Sequence, residues 1–124
     1  MENIDRGAAV VLSAATTSSD SQKLDNLRWR GAQICVNITA VAGTGPTFTV
    51  IVEGHDAASG QYYTLLQSAA LSAVGTTVLT VYPGTAVAAN SVASNVLPKV
   101  WRIRYTIAGT TPAITATIGV NLIN

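Results

Sequence analysis

A segment that occurs twice constrains this chain more than anything else in it. Ile38–Pro46 reads I-T-A-V-A-G-T-G-P and runs into T-F-T-V-I-V-E-G, while Arg104–Pro112 reads R-Y-T-I-A-G-T-T-P and runs into A-I-T-A-T-I-G-V. In each copy an alternating segment, an A-G-T-x-P link and a second alternating segment follow one another, the pattern of a β-hairpin. Glycine gives the backbone room to reverse, and Pro46 fixes φ just before the next strand. Two related hairpins are therefore expected, giving the fold pseudo-symmetry, with Trp101 aligned to Cys35 by the shared link.

The period of two persists around these links. In Ala32–Val41, Ile34, Val36, Ile38 and Ala40 share one side, and Gln33, Cys35, Asn37 and Thr39 the other, so the segment reads as a half-buried strand. Phe48, Val50 and Val52 point inward from Thr47–Glu53, with Thr47, Thr49 and Glu53 outward and Ile51 breaking the polar side. Lys99–Ile107 places Trp101, Ile103, Tyr105 and Ile107 on one face against Arg102, Arg104 and Thr106. Ala113–Asn121 does the same with Ile114, Ala116, Ile118 and Val120 inward, opposite Thr115 and Thr117.

Between these, His55–Gly60 reads as a turn and Gln61–Leu66 as a strand with Tyr62 and Tyr63 on opposite faces. Thr76–Tyr82 is rich in β-branched residues and ends at the turn signal Pro83-Gly84. Thr85–Leu97, rich in Ala, Asn and Ser with no fixed period, reads as a loop with room for a helical turn. Asp25–Arg30 is expected to begin a strand that continues through Val41 after a bend at Gly31. Residues 1–24 are expected to be an N-terminal arm or first strand, in which the apolar run Ala8–Ala14 pairs at home or with another subunit. Residues 25–124 then form a single domain. Seven or eight short strands with Gly/Pro turns and no helical period make an all-β fold, an antiparallel β-sandwich of jelly-roll or other Greek-key order, with a closed barrel as the other architecture.

With 124 residues, one domain can bury a core without metal or disulfide. The single cysteine, Cys35, has no internal partner and, inside a strand-like run, is expected to be buried and inert. Charged residues make up 10% of the chain, against about 25% in ordinary soluble domains, and hydrophobic residues 48%. So few charges suit a surface that neighbours largely cover. Seven Lys and Arg against six Asp and Glu give a net charge of +1, with no basic run able to neutralise many phosphates, which disfavours nucleic acid as a partner. The opening M-E-N-I-D-R lacks the pattern of a signal peptide and no segment reads as a transmembrane span, so synthesis in the cytoplasm and no membrane partner are expected.

Chemistry is hard to find. His55-Asp56 is the one His–carboxylate neighbour pair, but adjacent turn residues point apart, and no nucleophile lies near in sequence, so no catalytic residue is assigned. Asp56 is expected to accept local backbone hydrogen bonds instead. One His, one Cys and scattered acids supply neither a zinc set nor a dense run of calcium ligands, so no metal or cofactor is assigned. Asn37-Ile38-Thr39 matches a glycosylation sequon, read as accidental. Candidate interface residues are Val10, Val11 and Leu12 in the apolar run, Arg28, Trp29 and Arg30, where Trp and Arg stand together, and Arg102 and Arg104. Trp29, Tyr62, Tyr63 and Tyr82 also leave a sugar-stacking or host-surface platform open, whereas Trp101 and Tyr105 obey the inward register and read as core.

Arg30-Gly31, T-A-V-A-G-T-G-P-T-F, G-H-D-A-A-S-G-Q-Y-Y-T-L, V-Y-P-G and L-P-K-V-W-R-I-R-Y-T-I-A-G-T-T-P-A-I-T, in that order, resemble small virion structural proteins of tailed bacteriophages. In members of that group the middle turn is a D-x-x-S-G-x-Y segment, matched by Asp56, Ser59, Gly60 and Tyr62 or Tyr63. The resemblance covers residues 28–122. It implies a non-enzymatic head decoration (cement) protein on the capsid surface of the virion, a homotrimer or dimer whose partner is the major capsid protein. A tail or head–tail connector component and a carbohydrate or host-surface binding module are the alternatives. Contacts particular to this protein are expected in the Thr85–Leu97 loop and the N-terminal arm.

Overall fold

The A-G-T-x-P segments do not turn the chain. In the computed structural model, which describes all residues but 1, 4, 5, 22 and 27 and side chains from residue 10 onward, each lies inside one long strand. The strands are β1 (Glu2–Asn3), β2 (Arg6–Ala15), β3 (Ser19–Asp20), β4 (Leu24–Asp25), β5 (Gly31–His55), β6 (Tyr62–Gln67), β7 (Gly75–Val81), β8 (Val92–Ala93) and β9 (Val100–Ile123). The 25-residue β5 and 24-residue β9 carry one copy each and pair antiparallel from Gly31↔Ile123 to Gly54↔Trp101. The expected hairpins are thus replaced by a single long ribbon in which the two copies pair with each other.

Local chemistry explains the difference. The register shifts between Ile38 and Ala40, Ala42 and Thr44, and Thr44 and Thr47, so the links form β-bulges. A bulge uses the same positive-φ glycine as a turn, but it bends and twists a strand without reversing it. Gly43, Gly45 and Gly109 have φ of 108°, 60° and 121°. Pro46 and Pro112, which have no N–H to give, fall where the ladder is interrupted, a place where a strand tolerates proline.

The pairing has local twofold symmetry. Thr44 pairs with Thr110, the equivalent residue of the other copy; Val41↔Ile114 is matched by Phe48↔Ile107, and Ala40↔Thr115 by Thr49↔Thr106. The equivalence ends beyond the bend, where Trp101 is fully buried but Cys35, its counterpart by link register, faces outward and is half-buried. Cys35 is therefore not the buried thiol that its strand setting suggested.

Other strands flank the ribbon. Along one half the lanes run β2, β9, β5 and β7, with β8 beyond β7; along the other, β3 and β4 lie beside β9, and β6 beside β5. Two parallel pairs, β1/β4 and β7/β8, make the result one mixed nine-stranded sheet that does not close into a barrel. The apolar N-terminal run is a strand that pairs with the chain's own β9, Val10 against Ile118 and Leu12 against Ala116. The strand expected to begin over Asp25–Arg30 is instead β4 followed by a turn into Gly31, with Leu27 outside the described residues.

Burial follows the period of two. Ile34, Val36, Ile38, Phe48, Val50, Val52, Trp101, Ile103, Ile114 and Ile118 all lie at 2% exposure or less, in one cluster spanning both halves of the ribbon. Each such side chain contributes about 1.5–3 kcal/mol of transfer free energy, set against the entropy of ordering the chain. Gly54 is packed under a ring: a Cβ there would stand 2.5 Å from Cζ of Tyr63, its partner on β6.

Candidate functional site

The outer face of the β3–β9–β5–β6 half gathers the charged residues. Glu53 and Arg102 are direct register partners, and Asp20 pairs with Arg104. Because β-strand neighbours on one face stand side by side, these four side chains meet. Arg102 Nε donates to Glu53 Oε1 at 2.9 Å and its Nη1 to Asp20 Oδ2 at 3.1 Å, while Arg104 Nε donates to Glu53 Oε2 at 3.2 Å. Glu53, expected to point at solvent, is only 6% exposed, each of its oxygens taken by an arginine. The Arg102 guanidinium also lies 3.5 Å from the centroid of the Tyr62 ring, which packs against His55 at 4.7 Å. Four balanced charges locked in this way stiffen a surface; they leave little free charge to bind with.

At the start of β5 a second hub holds the chain. Asn26 Nδ2 donates to the carbonyls of Trp29 at 2.7 Å and Leu97 at 2.9 Å, and its Oδ1 accepts from the Trp29 N–H at 2.9 Å. This buried amide ties the 28–30 turn to the end of the long loop. Arg28 stacks its guanidinium 4.9 Å from the Trp29 ring centroid.

Of the expected His55–Gly60 turn, residues 56–60 close on themselves, whereas His55 is the last residue of β5 and pairs with Tyr62. Gly60 N–H donates to the Asp56 carbonyl at 2.8 Å, and the Asp56 carboxylate accepts from Ser59 Oγ at 2.6 Å and from the Ala58 N–H at 3.2 Å. The Ser59 hydroxyl, then the Ala58 N–H, hold the Asp56 carboxyl below its ordinary value. His55 and Cys35 sit towards opposite ends of β5, with Tyr62 and with Val78 and Gly119 as their respective partners. Histidine, aspartate and thiol are not brought together. Among the described residues no three His, Cys, Asp or Glu side chains form a group able to hold a metal ion.

The remaining surface is mostly loop and valine. The connection from Pro83 to Lys99 is a loop apart from β8, with an α-turn in which the Val92 N–H donates to the Ala88 carbonyl at 3.0 Å. It leaves Val87 72% and Val96 62% exposed. With Thr64–Gln67 of β6 it walls an open trough of about 420 Å³, spanned at one point by Asn95 Nδ2 donating to the Leu65 carbonyl at 3.3 Å.

The sequence-derived interface residues are thus dispersed. Val10 and Leu12 belong to the core; of that run, Val11 alone among the three faces outward. Arg102 and Arg104 are committed to Glu53 and Asp20, while Arg28 and Arg30 are exposed beside Trp29. Trp101 and Tyr105 are buried as the alternation required, Tyr62 lies under Arg102, and Tyr63 is exposed. The Glu53 network and the Asn26 hub were not foreseen. The register of Glu53 with Arg102 could have revealed the first, had the ribbon been recognised. No family model, curated protein or solved structure matches the chain.

Proposed function

We propose that this chain is a non-enzymatic structural protein of a bacteriophage virion, a decoration protein that binds the assembled capsid shell and braces it. Its partner is the major capsid protein, and its place is the outside of the head. The two half-sheets fold over the bulged centre of the ribbon as a β-sandwich. Two observations support that packing: inward side chains from both halves share one core cluster, and Leu71, bridged to Phe48, lines the same recess as Ile38.

The observation that carries the functional reading is the long loop with its trough. A rigid β-slab, locked by the Glu53 network and the Asn26 hub, presents on the Pro83–Lys99 connection two valines that contribute nothing to its own core. Exposed apolar side chains on a loop held by a stiff scaffold are how such a protein docks without chemistry.

The test is occupancy on heads. Purified protein is mixed with expanded heads and empty proheads of the encoding phage, and bound copies are counted after sedimentation. The reading expects saturable binding to expanded heads, weakened about tenfold or more by Val87→Asp or Val96→Asp. Failure to bind either particle removes it, and labelled protein that collects in a ring at the neck or tail assigns the chain there instead.

A further inference from the structure

The twofold relation at the centre of the ribbon runs on through the flanking strands. β6 lies on β5 as β2 lies on β9. Tyr62, Tyr63 and Thr64 pair with His55, Gly54 and Glu53, while Arg6, Gly7 and Ala8 pair with Asn121, Val120 and Gly119, the equivalent residues of β9. Each flanking strand then skips one residue, between Thr64 and Leu66 and between Ala8 and Val10, and resumes with Leu66↔Val52 and Val10↔Ile118. Leu71, bridged to Phe48, ends the one contact as Ala15↔Ile114 ends the other.

β7 on β5 repeats β3 and β4 on β9. Past Thr39, the extra residue of the bulge after Ile38, β5 and β9 match one residue out of step with the link. Ile34, Val36 and Ile38 then answer to Trp101, Ile103 and Tyr105. Gly75 pairs with Ile38 as Ser19 with Tyr105, and Leu79 with Ile34 as Leu24 with Trp101. Leu24 and Leu79 are both fully buried. Residues 6–55 and 62–121 thus carry equivalent strands in the same order, joined by the turn 56–61. They differ most in one connection: 26–30 leads directly into β5, whereas 82–99 carries β8 and walls the trough.

We infer that the chain is a fused dimer, two intertwined protomers built on one strand unit, in which each half is the other's binding partner. β5 has strands of the second half on both sides, and β9 has strands of the first half on both sides. Within a half the described strands pair only as β1/β4 and β7/β8, two residues each. A half by itself would leave most of its backbone donors and acceptors without strand partners. Leu24, Ile34, Phe48 and Val52 of the first half share one core with Leu79, Trp101, Ile103 and Ile118 of the second. Register selects the partner, since a slip of one residue would turn the apolar side chains of a half out to solvent. That is the relation between protomers of an obligate dimer, whose folding and association are one event. This inference does not rest on the capsid reading.

A recognition segment for a specific protease, inserted after Ala58 in the exposed 56–60 turn and then cut, tests it. The cut protein is expected to elute in size exclusion at the mass of the uncut chain. Its melting midpoint should rise with protein concentration while that of the uncut chain stays fixed, because only the cut protein must associate to fold. Each piece, separated in denaturant and returned to buffer, is expected not to fold as a single chain, and mixing the two restores the melt. Leu24→Ala and Leu79→Ala, at equivalent places, should each weaken that reassociation about thirtyfold or more. Pieces that part under native conditions, either piece folding as a single chain, a mixture that does not refold, or an effect at one leucine alone would each overturn the inference.

Discussion

Thr44 and Thr110 occupy the same place in two copies of one segment, and they are register partners at the centre of the β5–β9 ribbon. The repeat is therefore a device for building a symmetric set of bulges. Close approach of the two copies makes the glycines unequal. A Cβ on Gly43 would lie 2.6 Å from the Thr111 carbonyl oxygen, and one on Gly109 would lie 2.8 Å from that of Gly45. Both obstacles are backbone and cannot swing aside. Gly43→Ala and Gly109→Ala should each cost about 1–3 kcal/mol from backbone strain, with a further cost from the clash. Gly45→Ala, into open space, should cost about 1 kcal/mol. Urea denaturation of the three variants checks the order.

Symmetry also predicts a stabilising change. Thr111 stands where the first copy has Gly45, and its φ is 46°, a conformation that a β-branched residue resists. Thr111→Gly should relieve about 1–2 kcal/mol of strain against about 0.5–1 kcal/mol of added chain entropy, for a small net gain. Gly45→Thr should destabilise. Opposite signs in paired thermal melts are the expected result.

Removing the charge of Glu53 takes the acid from Arg104 and leaves Arg102 with Asp20 alone. Glu53→Gln should cost about 1–3 kcal/mol, less than a fully buried pair because the Arg104 side chain is 37% exposed. Arg102→Ala should cost more than Arg104→Ala, since Arg102 also serves Asp20 and lies on Tyr62. Chemical denaturation of the three variants at low and high salt measures both statements.

Asn26→Ala removes three hydrogen bonds to backbone and leaves the Leu97 carbonyl without its buried donor. A loss of about 1–3 kcal/mol is expected. Hydrogen exchange should quicken at Trp29, whose N–H loses its acceptor. Because Asn26 joins the turn to the end of the loop, binding to heads should fall with it.

Asp56 titrates below its ordinary value because Ser59 and Ala58 donate to its charged form. A depressed folded pKa favours the folded state above the unfolded pKa, and that contribution is lost as pH falls through the folded value. Ser59→Ala should move the Asp56 midpoint up towards the usual carboxylate range, read from its side-chain carbonyl shift by NMR. Full exposure of the group makes any accompanying change in stability small.

Legibility in the sequence stopped at the point where pairing partners begin. Alternation identified the inward faces of Ala32–Val41, Thr47–Glu53, Lys99–Ile107 and Ala113–Asn121 except at Ala40, which the bulge after Ile38 leaves exposed, because side-chain direction is a local property of an extended chain. It could not say which strand lies beside which. Gly43 and Pro46 read as a turn since turns and bulges ask for the same backbone freedom, and only the partner of the flanking residues distinguishes them. Val10 and Leu12 read as free apolar residues for want of a visible partner in β9. Glu53 read as solvent-facing, because its burial depends on two arginines about fifty positions further along.

A density map of the intact virion tests the proposed function most directly. The account predicts copies of this chain at regular positions on the outside of the head, with Val87 and Val96 turned towards the shell. Density for the chain confined to the neck or tail, or no density for it anywhere on the particle, would contradict it.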